Sequence, residues 1–370
     1  MDEKHKTQAT QLDPESGKPA QLRGVLDQVK LVATGGMAQI FRARQPSLDR
    51  FVAVKKLKDE LITHGETLER FRREAKALAS VLHQNIAHVY DFVESGRESF
   101  LLMEYIEGID VSTVVQKVGH LPPDIAAGIL LGVAKGVSYI HAHHLVHRDI
   151  KPGNIRINNR GEVKLMDFGI VMDIENESLT RPGMMVGSPS YLSPEQVLGD
   201  SITPKADIFL LGITFYEILT GTRPFKEEQG ATVFQRIREA KFIPPREMQG
   251  TIPKVLDRVV CKCLSKNPDE RYENVKELIE ELEDYLGRKS AHTEDLLLKY
   301  LDEEALLSPA VPYAEISERS SLGQKLVRWE TLITFFIATA IAFAAGLYLG
   351  SSKNKDTSRP AGYEAPKGIK

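Results

Sequence analysis

The chain has 370 residues, 42% hydrophobic and 27% charged, a balance that excludes a wholly disordered or collagen-like protein. A formal net charge of −3 excludes bulk electrostatic attraction to nucleic acid. The two cysteines, Cys261 and Cys263, have no further ligands in sequence reach, so they read as reduced, half-buried thiols rather than a metal site.

In chain order, residues 1–23 are polar and read as a disordered lead-in, not a secretory signal. Five apolar runs, at 25–34, 38–45, 51–58, 86–94 and 99–107, read as strands. Between the third and fourth, "GETLERFRREAKALASVL" sets Leu68, Phe71, Ala75, Leu78 and Leu82 on one helical face. From about 110 to 287 helical patterns dominate, among them 123–144 and 273–287. A β-rich part followed by an α-rich part predicts an α+β pair of lobes, about 24–105 and 106–287. Residues 288–330 read as a juxtamembrane connector in which "TEDLLLKYLDEEALL" has the pattern of a short amphipathic helix. No charged residue occurs from Thr331 to Ser352, and 331–350 as a helix would span about 30 Å, the thickness of a hydrocarbon core. Trp329 and Tyr348 lie near its ends, where interfacial aromatics are favoured, and residues 351–370 are a short polar tail.

Several short motifs are spaced along the lobes. "LVATGGMAQIF" sets Ala33, Gly35, Ala38 and Ile40 on the G-x-G-x-x-G-x-V template, with Gly36 beside the retained glycine. "FVAVKKL" puts Lys55 in the V-A-I-K position, two residues after Ala53. "LVHRDIKPGNIRIN" supplies His147, Arg148, Asp149, Lys151 and Asn154 on the H-R-D-x-x-x-x-N pattern. "LMDFGI" follows with Asp167, Phe168 and Gly169, and "SYLSPEQ" places Glu195 where A-P-E is expected. One such match is a common accident; all of them in this order are not.

Over residues 24–287, about seven tenths of the chain, these motifs resemble a protein kinase of the bacterial, eukaryotic-like Ser/Thr type. The resemblance implies a two-lobed kinase fold that binds ATP with Mg²⁺, or Mn²⁺ in its place. Lys55 would pair the nucleotide phosphates, and Glu74 on the helix would hold Lys55. Asn154 and Asp167 would offer hard oxygen ligands to the metal. Asp149 would accept the proton of a substrate hydroxyl, and Lys151 would contact the γ-phosphate. Met103 would back the adenine pocket, with Glu104, Tyr105 and Ile106 as the hinge. Leu78, Val89, His147 and Phe168 would stack into a hydrophobic column. Glu195 and Arg271 would form a tethering ion pair, Asp207 would orient the catalytic loop, and Ser188 would support it. In the segment 167–195, Thr180 and then Ser178 are the candidate phosphorylation sites, since Arg148 could pair a phosphate there.

Two positions depart from the family pattern. Ala33 replaces a glycine, whose use in such loops is positive φ and close backbone approach to phosphate. Arg156 stands where an apolar residue forms the adenine floor. It could lay its stem there with the guanidinium outward, stack on the purine, or alter the pocket. These departures motivate the alternative of a pseudokinase scaffold; the intact set Lys55, Glu74, Asp149, Asn154 and Asp167 favours an enzyme that modifies Ser and Thr hydroxyls of proteins. Because ATP is cytosolic, the lobes are expected in the cytoplasm, anchored to the inner membrane by a single pass at 331–350. Lysines and arginines flank that segment on both sides, so charge asymmetry does not set its orientation. Clustering in the bilayer would favour self-association and trans-autophosphorylation.

Overall fold

The computed structural model describes residues 25–35, 38–58, 65–95, 98–167, 189–227 and 230–307. The chain divides into two units, Met1–Ser308 and Pro309–Lys370, and every described residue belongs to the first. The expected membrane span and polar tail therefore lie outside the described residues, as do Gly36, Phe168, Gly169, Ser178, Thr180 and Ser188.

The amino-terminal lobe is built on an antiparallel sheet of β1 (Asp27–Thr34), β2 (Ala38–Gln45), β3 (Arg50–Leu57), β4 (Val89–Ser95) and β5 (Glu98–Glu104), in the order β1-β2-β3-β5-β4. The third of the predicted runs is β3, where Val52 and Val54 bury on one face with Phe41, Phe100 and Leu102, and Ala53 between them buries on the other. The opposite face is covered by α1 (Gly65–Ala79), whose Phe71, Ala75 and Leu78 are nearly inaccessible. Burying a Phe or Leu side chain stabilises by roughly 1.5–3 kcal/mol. The helix stops at Ala79, before the last residue of the predicted face; Leu82 lies beyond its end and is exposed.

The second lobe is mainly helical. Its elements are α2 (Val111–Val118), α3 (Pro123–Ala142), α4 (Pro194–Leu198), α5 (Pro204–Thr220), α6 (Val233–Glu239), α7 (Pro245–Met248), α8 (Lys254–Cys263), α9 (Val275–Leu286) and α10 (Thr293–Glu303). Helix starts follow local chemistry. The Asp110 carboxylate accepts the Thr113 N–H at the head of α2, and Ser193 with Gln196 forms a capping box at the head of α4. Gly199 and Gly221 end α4 and α5 in the left-handed region. Among the described residues α3 alone is long and apolar enough to cross a membrane, and its apolar residues are buried on most sides, as a core helix requires. Cys261 is half-buried as expected, and burial pushes its thiol up to about 11, whereas Cys263 is fully buried because it faces the core from α8.

Two features were not foreseen. A second sheet of β6 (Gly108–Asp110), β7 (Ile155–Asn158) and β8 (Val163–Leu165) sits at the junction of the lobes. A Cβ at Gly108 would lie 2.0 Å from the Ile157 carbonyl oxygen, so the β6–β7 approach requires glycine. The amphipathic stretch assigned to the connector is α10, and it docks on α3 with Leu297, Tyr300 and Leu301 buried. At Gly161, in the β7–β8 turn with φ +78°, an added Cβ would meet the Glu294 carbonyl at 2.1 Å, so α10 also closes over that turn.

Candidate active site

The hairpin β1–β2 carries the loop template. Ala33 pairs with Ile40 across the strands, and its methyl is exposed, so it crowds nothing. Gly35 donates its N–H to the Ala38 carbonyl at 2.8 Å, which closes the turn, and Ala38 is buried. Lys55 on β3 lies between Ile40 of β2 and Leu101 of β5. Its Nζ reaches Asp167 Oδ1 at 3.0 Å, spanning 112 residues of sequence. The Glu74 backbone lies in α1, as expected; its side chain is outside what the structure describes. Asp167 follows β8 with φ 49°, a left-handed backbone of the kind that concentrates at functional sites. The Lys55 ammonium beside it holds its carboxyl below the usual aspartate range, against the opposing cost of burial.

The loop between α3 and β7 brings the remaining chemistry together. Lys151 Nζ donates to both Asp149 oxygens, at 2.8 and 2.7 Å. Asn154 Nδ2 donates to the Asp149 main-chain carbonyl and to Oδ2, both at 2.8 Å. The Met166 N–H donates to the Asn154 carbonyl at 2.8 Å, which seats Asn154 beside the Asp167 strand end. Because the amide nitrogen of Asn154 is occupied by Asp149, its side-chain oxygen is left as the acceptor. That oxygen and the anionic Asp167 carboxylate are the hard donors Mg²⁺ prefers, and two protein ligands suffice for a metal that also binds nucleotide phosphates and water.

Asp207, at the start of α5, fixes this loop from beneath. It is fully buried and accepts the N–H groups of His147 and Arg148, both at 2.8 Å, while His141 Nε2 stands 2.8 Å from Oδ2. The bonds hold Arg148 at φ 68° and so aim the residue that follows it, Asp149. Burial pushes the Asp207 carboxyl up, but the His141 and backbone partners hold it net below its ordinary value of 3.8. Stability from such a group is present above that ordinary value and is lost as pH falls through the lower folded one. Asp207→Asn is therefore expected to cost about 1–3 kcal/mol at pH 7, from one poorly matched buried donor. It should also flatten the decline in stability below about pH 4, measured by urea unfolding across pH.

Glu195 and Arg271 form the predicted ion pair as a fork, at 2.7 and 3.0 Å, with the Arg271 side chain fully buried. The residues assigned to the hinge stand at the end of β5 and just after it. Met103 and Ile106 are buried, Ala53 faces Met103 across β3–β5, and Glu104 is held by the His88 N–H at 3.1 Å and by Lys164 Nζ at 3.1 Å. Leu78, Val89 and His147 are all buried. At Arg156 the structure fixes only the guanidinium, whose Nε is buried. That group is turned to the strand after the hinge, where Nη2 donates to the Gly108 carbonyl at 2.7 Å opposite Asp110. Two supporting residues escaped the sequence reading. His141 gave no local signal. Gln196 did: it donates to the Arg148 carbonyl at 3.2 Å, and "SPEQ" has the S-x-x-Q spacing of a capping box.

The family model for the protein kinase domain matches residues 26–282. Serine/threonine-protein kinase PknB of Mycobacterium leprae is 33% identical over 346 residues, covering 89% of this chain and 55% of its own. Serine/threonine-protein kinase PknA of Mycobacterium tuberculosis is 39% identical over 249 residues, 66% of this chain and 57% of its own. PrkC of Bacillus subtilis is 34% identical over 250 residues, 68% and 39% respectively. The chain thus spans about half the length of the curated relatives it matches. The solved structure of Rad53 1–466 in complex with AMP-PNP superposes with a TM-score of 0.60 at 21% identity, covering 72% of this chain and 66% of that one, a likeness of fold.

Proposed function

The chain belongs to the protein kinase family, and from that premise we propose that it is a bacterial Ser/Thr kinase transferring the γ-phosphoryl group of ATP to protein hydroxyls. The observation that carries this reading is the bonded set Lys151–Asp149–Asn154, joined through the Met166–Asn154 backbone bond to Asp167 and Lys55. In this reading Asp149 takes the proton of the substrate hydroxyl as its oxygen bonds the γ-phosphorus and the bond to the ADP oxygen breaks. The Lys151 ammonium, already on Asp149, lies where it can also neutralise charge on the transferred group. Lys55 holds the nucleotide phosphates. Mg²⁺ would be held by Asn154 and Asp167, and it supplies neutralisation of the β- and γ-oxygens when bound. The match of residues 26–282 to the protein kinase domain supports the nucleotide assignment.

Anchoring of the kinase to the inner membrane through 331–350, with the lobes in the cytoplasm, is part of the same proposal and is supported by the uncharged run of that segment. So is autophosphorylation at Thr180, then Ser178, between copies. The experiment is transfer from labelled ATP with Mg²⁺ to the full chain and to a model protein substrate, followed by phosphopeptide mapping. Incorporation on serine and threonine is expected, with label within 173–190. Bound ATP without incorporation would favour the scaffold alternative.

A further inference from the structure

On the second lobe, away from Asp149 and Lys55, a cleft of about 370 Å³ opens between the end of α5, the turn 222–227, α6 and the segment 241–248. Four cations line it, Arg223, Lys226, Arg236 and Lys241, against one lining carboxylate, Glu227. That sign is opposite to the chain's formal net charge of −3. Arg223 stands 3.8 Å from the mostly buried Glu217, and Lys241 meets Glu239 at 2.7 Å in a pair whose members are both exposed. An exposed pair such as Lys241–Glu239 is worth about 0–1 kcal/mol and is readily exchanged for a stronger anion. The other wall is apolar, and Ile243 and Met248 on it are among the few large hydrophobic side chains the described surface leaves exposed, at 51% and 46%.

The cleft is joined to the segment leading into α4. Arg223 Nη1 donates to Ser190 Oγ at 3.4 Å, and its guanidinium carbon lies 5.3 Å from the centre of the Tyr191 ring. Tyr191 OH in turn donates to Glu217. The same segment ends in the capping box whose Gln196 bonds the Arg148 carbonyl of the catalytic loop.

We propose that this cleft is a docking site for a phosphorylated peptide segment, a phosphoserine or phosphothreonine meeting Arg223, Lys226, Arg236 and Lys241 while an adjacent apolar residue packs on Ile243 and Met248. A phosphomonoester carries about −1.5 to −2 charges and three acceptor oxygens, which suits convergent guanidinium and ammonium donors better than a single carboxylate does. The cleft volume falls within the ~300–1,000 Å³ range of small-ligand pockets, enough for one such side chain and its neighbour. Pocket occupancy does not depend on phosphoryl transfer; its consequence, capture of segments already phosphorylated, rests on the proposed kinase activity.

The test is fluorescence anisotropy with the full-length protein in detergent, without ATP or Mg²⁺. The probes are labelled peptides carrying phosphothreonine followed by leucine, and the same peptides with threonine. The phosphopeptide is expected to bind at least about tenfold more tightly, with an affinity that falls as salt rises. That advantage should vanish in the double variant Lys226→Glu, Lys241→Glu, and Met248→Ser should weaken both peptides. If the charge reversal does not fold, the neutral pair Lys226→Gln, Lys241→Gln gives the same readout. A further probe, residues 173–187 of this chain phosphorylated at Thr180, separates the sources: preference for it marks a second copy as the partner, and parity with the unrelated phosphopeptide marks other proteins. Equal affinity with and without phosphate, or unchanged phosphopeptide affinity in a folded double variant, overturns the proposal.

Discussion

Asp149→Asn is expected to lower phosphoryl transfer by about 10²–10⁴-fold, the usual worth of a positioned general base, while ATP binding and melting temperature stay close to those of the parent. The substitution keeps the shape of the side chain. Its remaining oxygen can still accept from Lys151 Nζ, and the Asn154 bond to the 149 main-chain carbonyl is untouched. What is lost is the charge and the basic oxygen that would take a hydroxyl proton. Lys55→Met acts at another point. It removes the ammonium 3.0 Å from Asp167, so both nucleotide affinity and transfer should fall, and the Asp167 carboxyl should titrate nearer its ordinary range. Initial rates with labelled ATP, paired with thermal shift against ATP titration, separate the two. An Asp149→Asn protein keeping more than a tenth of parental activity would exclude Asp149 as the base.

Arg271→Ala is expected to destabilise the second lobe by about 3–5 kcal/mol, because it strands a buried carboxylate. The guanidinium is fully buried, and the Glu195 side chain is 8% exposed. All three Arg271 nitrogens are engaged. Nε donates to the Ser265 carbonyl at 2.9 Å, Nη1 to Glu195 and the Lys205 carbonyl, and Nη2 to Glu195 and the Lys266 carbonyl. Lysine cannot reproduce that fork, so Arg271→Lys should recover only part of the loss. The double variant Glu195→Leu, Arg271→Met should be less damaged than Arg271→Ala, since replacing both charges leaves none unpaired. Urea unfolding reads all three. A cost below about 1 kcal/mol for Arg271→Ala would mean that water reaches Glu195 and the pair behaves as a surface pair.

Much of this was legible from sequence because the chemistry is carried by residues in fixed local order. Asp149, Lys151 and Asn154 lie within six residues, and one loop brings them into mutual contact. The strands at 38–45 and 51–58 were legible as short apolar runs carrying β-branched and aromatic residues. What escaped the reading was non-local or short. The β6 and β8 strands have three residues each, too few to show a period. Lys55 meets Asp167 across 112 positions, and His141 meets Asp207 across 66; no spacing rule encodes either. The amphipathic face of α10 could be read, but not its partner, because one apolar stripe does not say which surface it will cover. The cationic cleft gathers residues from 216 to 248 that look like ordinary surface charge until folding brings them together.

The docking of α10 bears on where this protein can be cut. The family pattern ends at residue 282, and a fragment trimmed there or at 287 keeps every motif residue from Ala33 to Arg271. It would nevertheless bare the stripe of α3 that Thr293 and Leu297 cover beside Gly128, and uncap the turn at Gly161. Each leucine-sized side chain so removed forfeits roughly 1.5–3 kcal/mol of burial, and the exposed stripe would invite self-association. Fragments ending near 307, where Leu306 is still buried, should melt higher and stay monodisperse where those ending at 287 do not. Comparing the two by thermal melting and size-exclusion chromatography would show whether the working edge of the domain lies about twenty residues beyond its recognisable one.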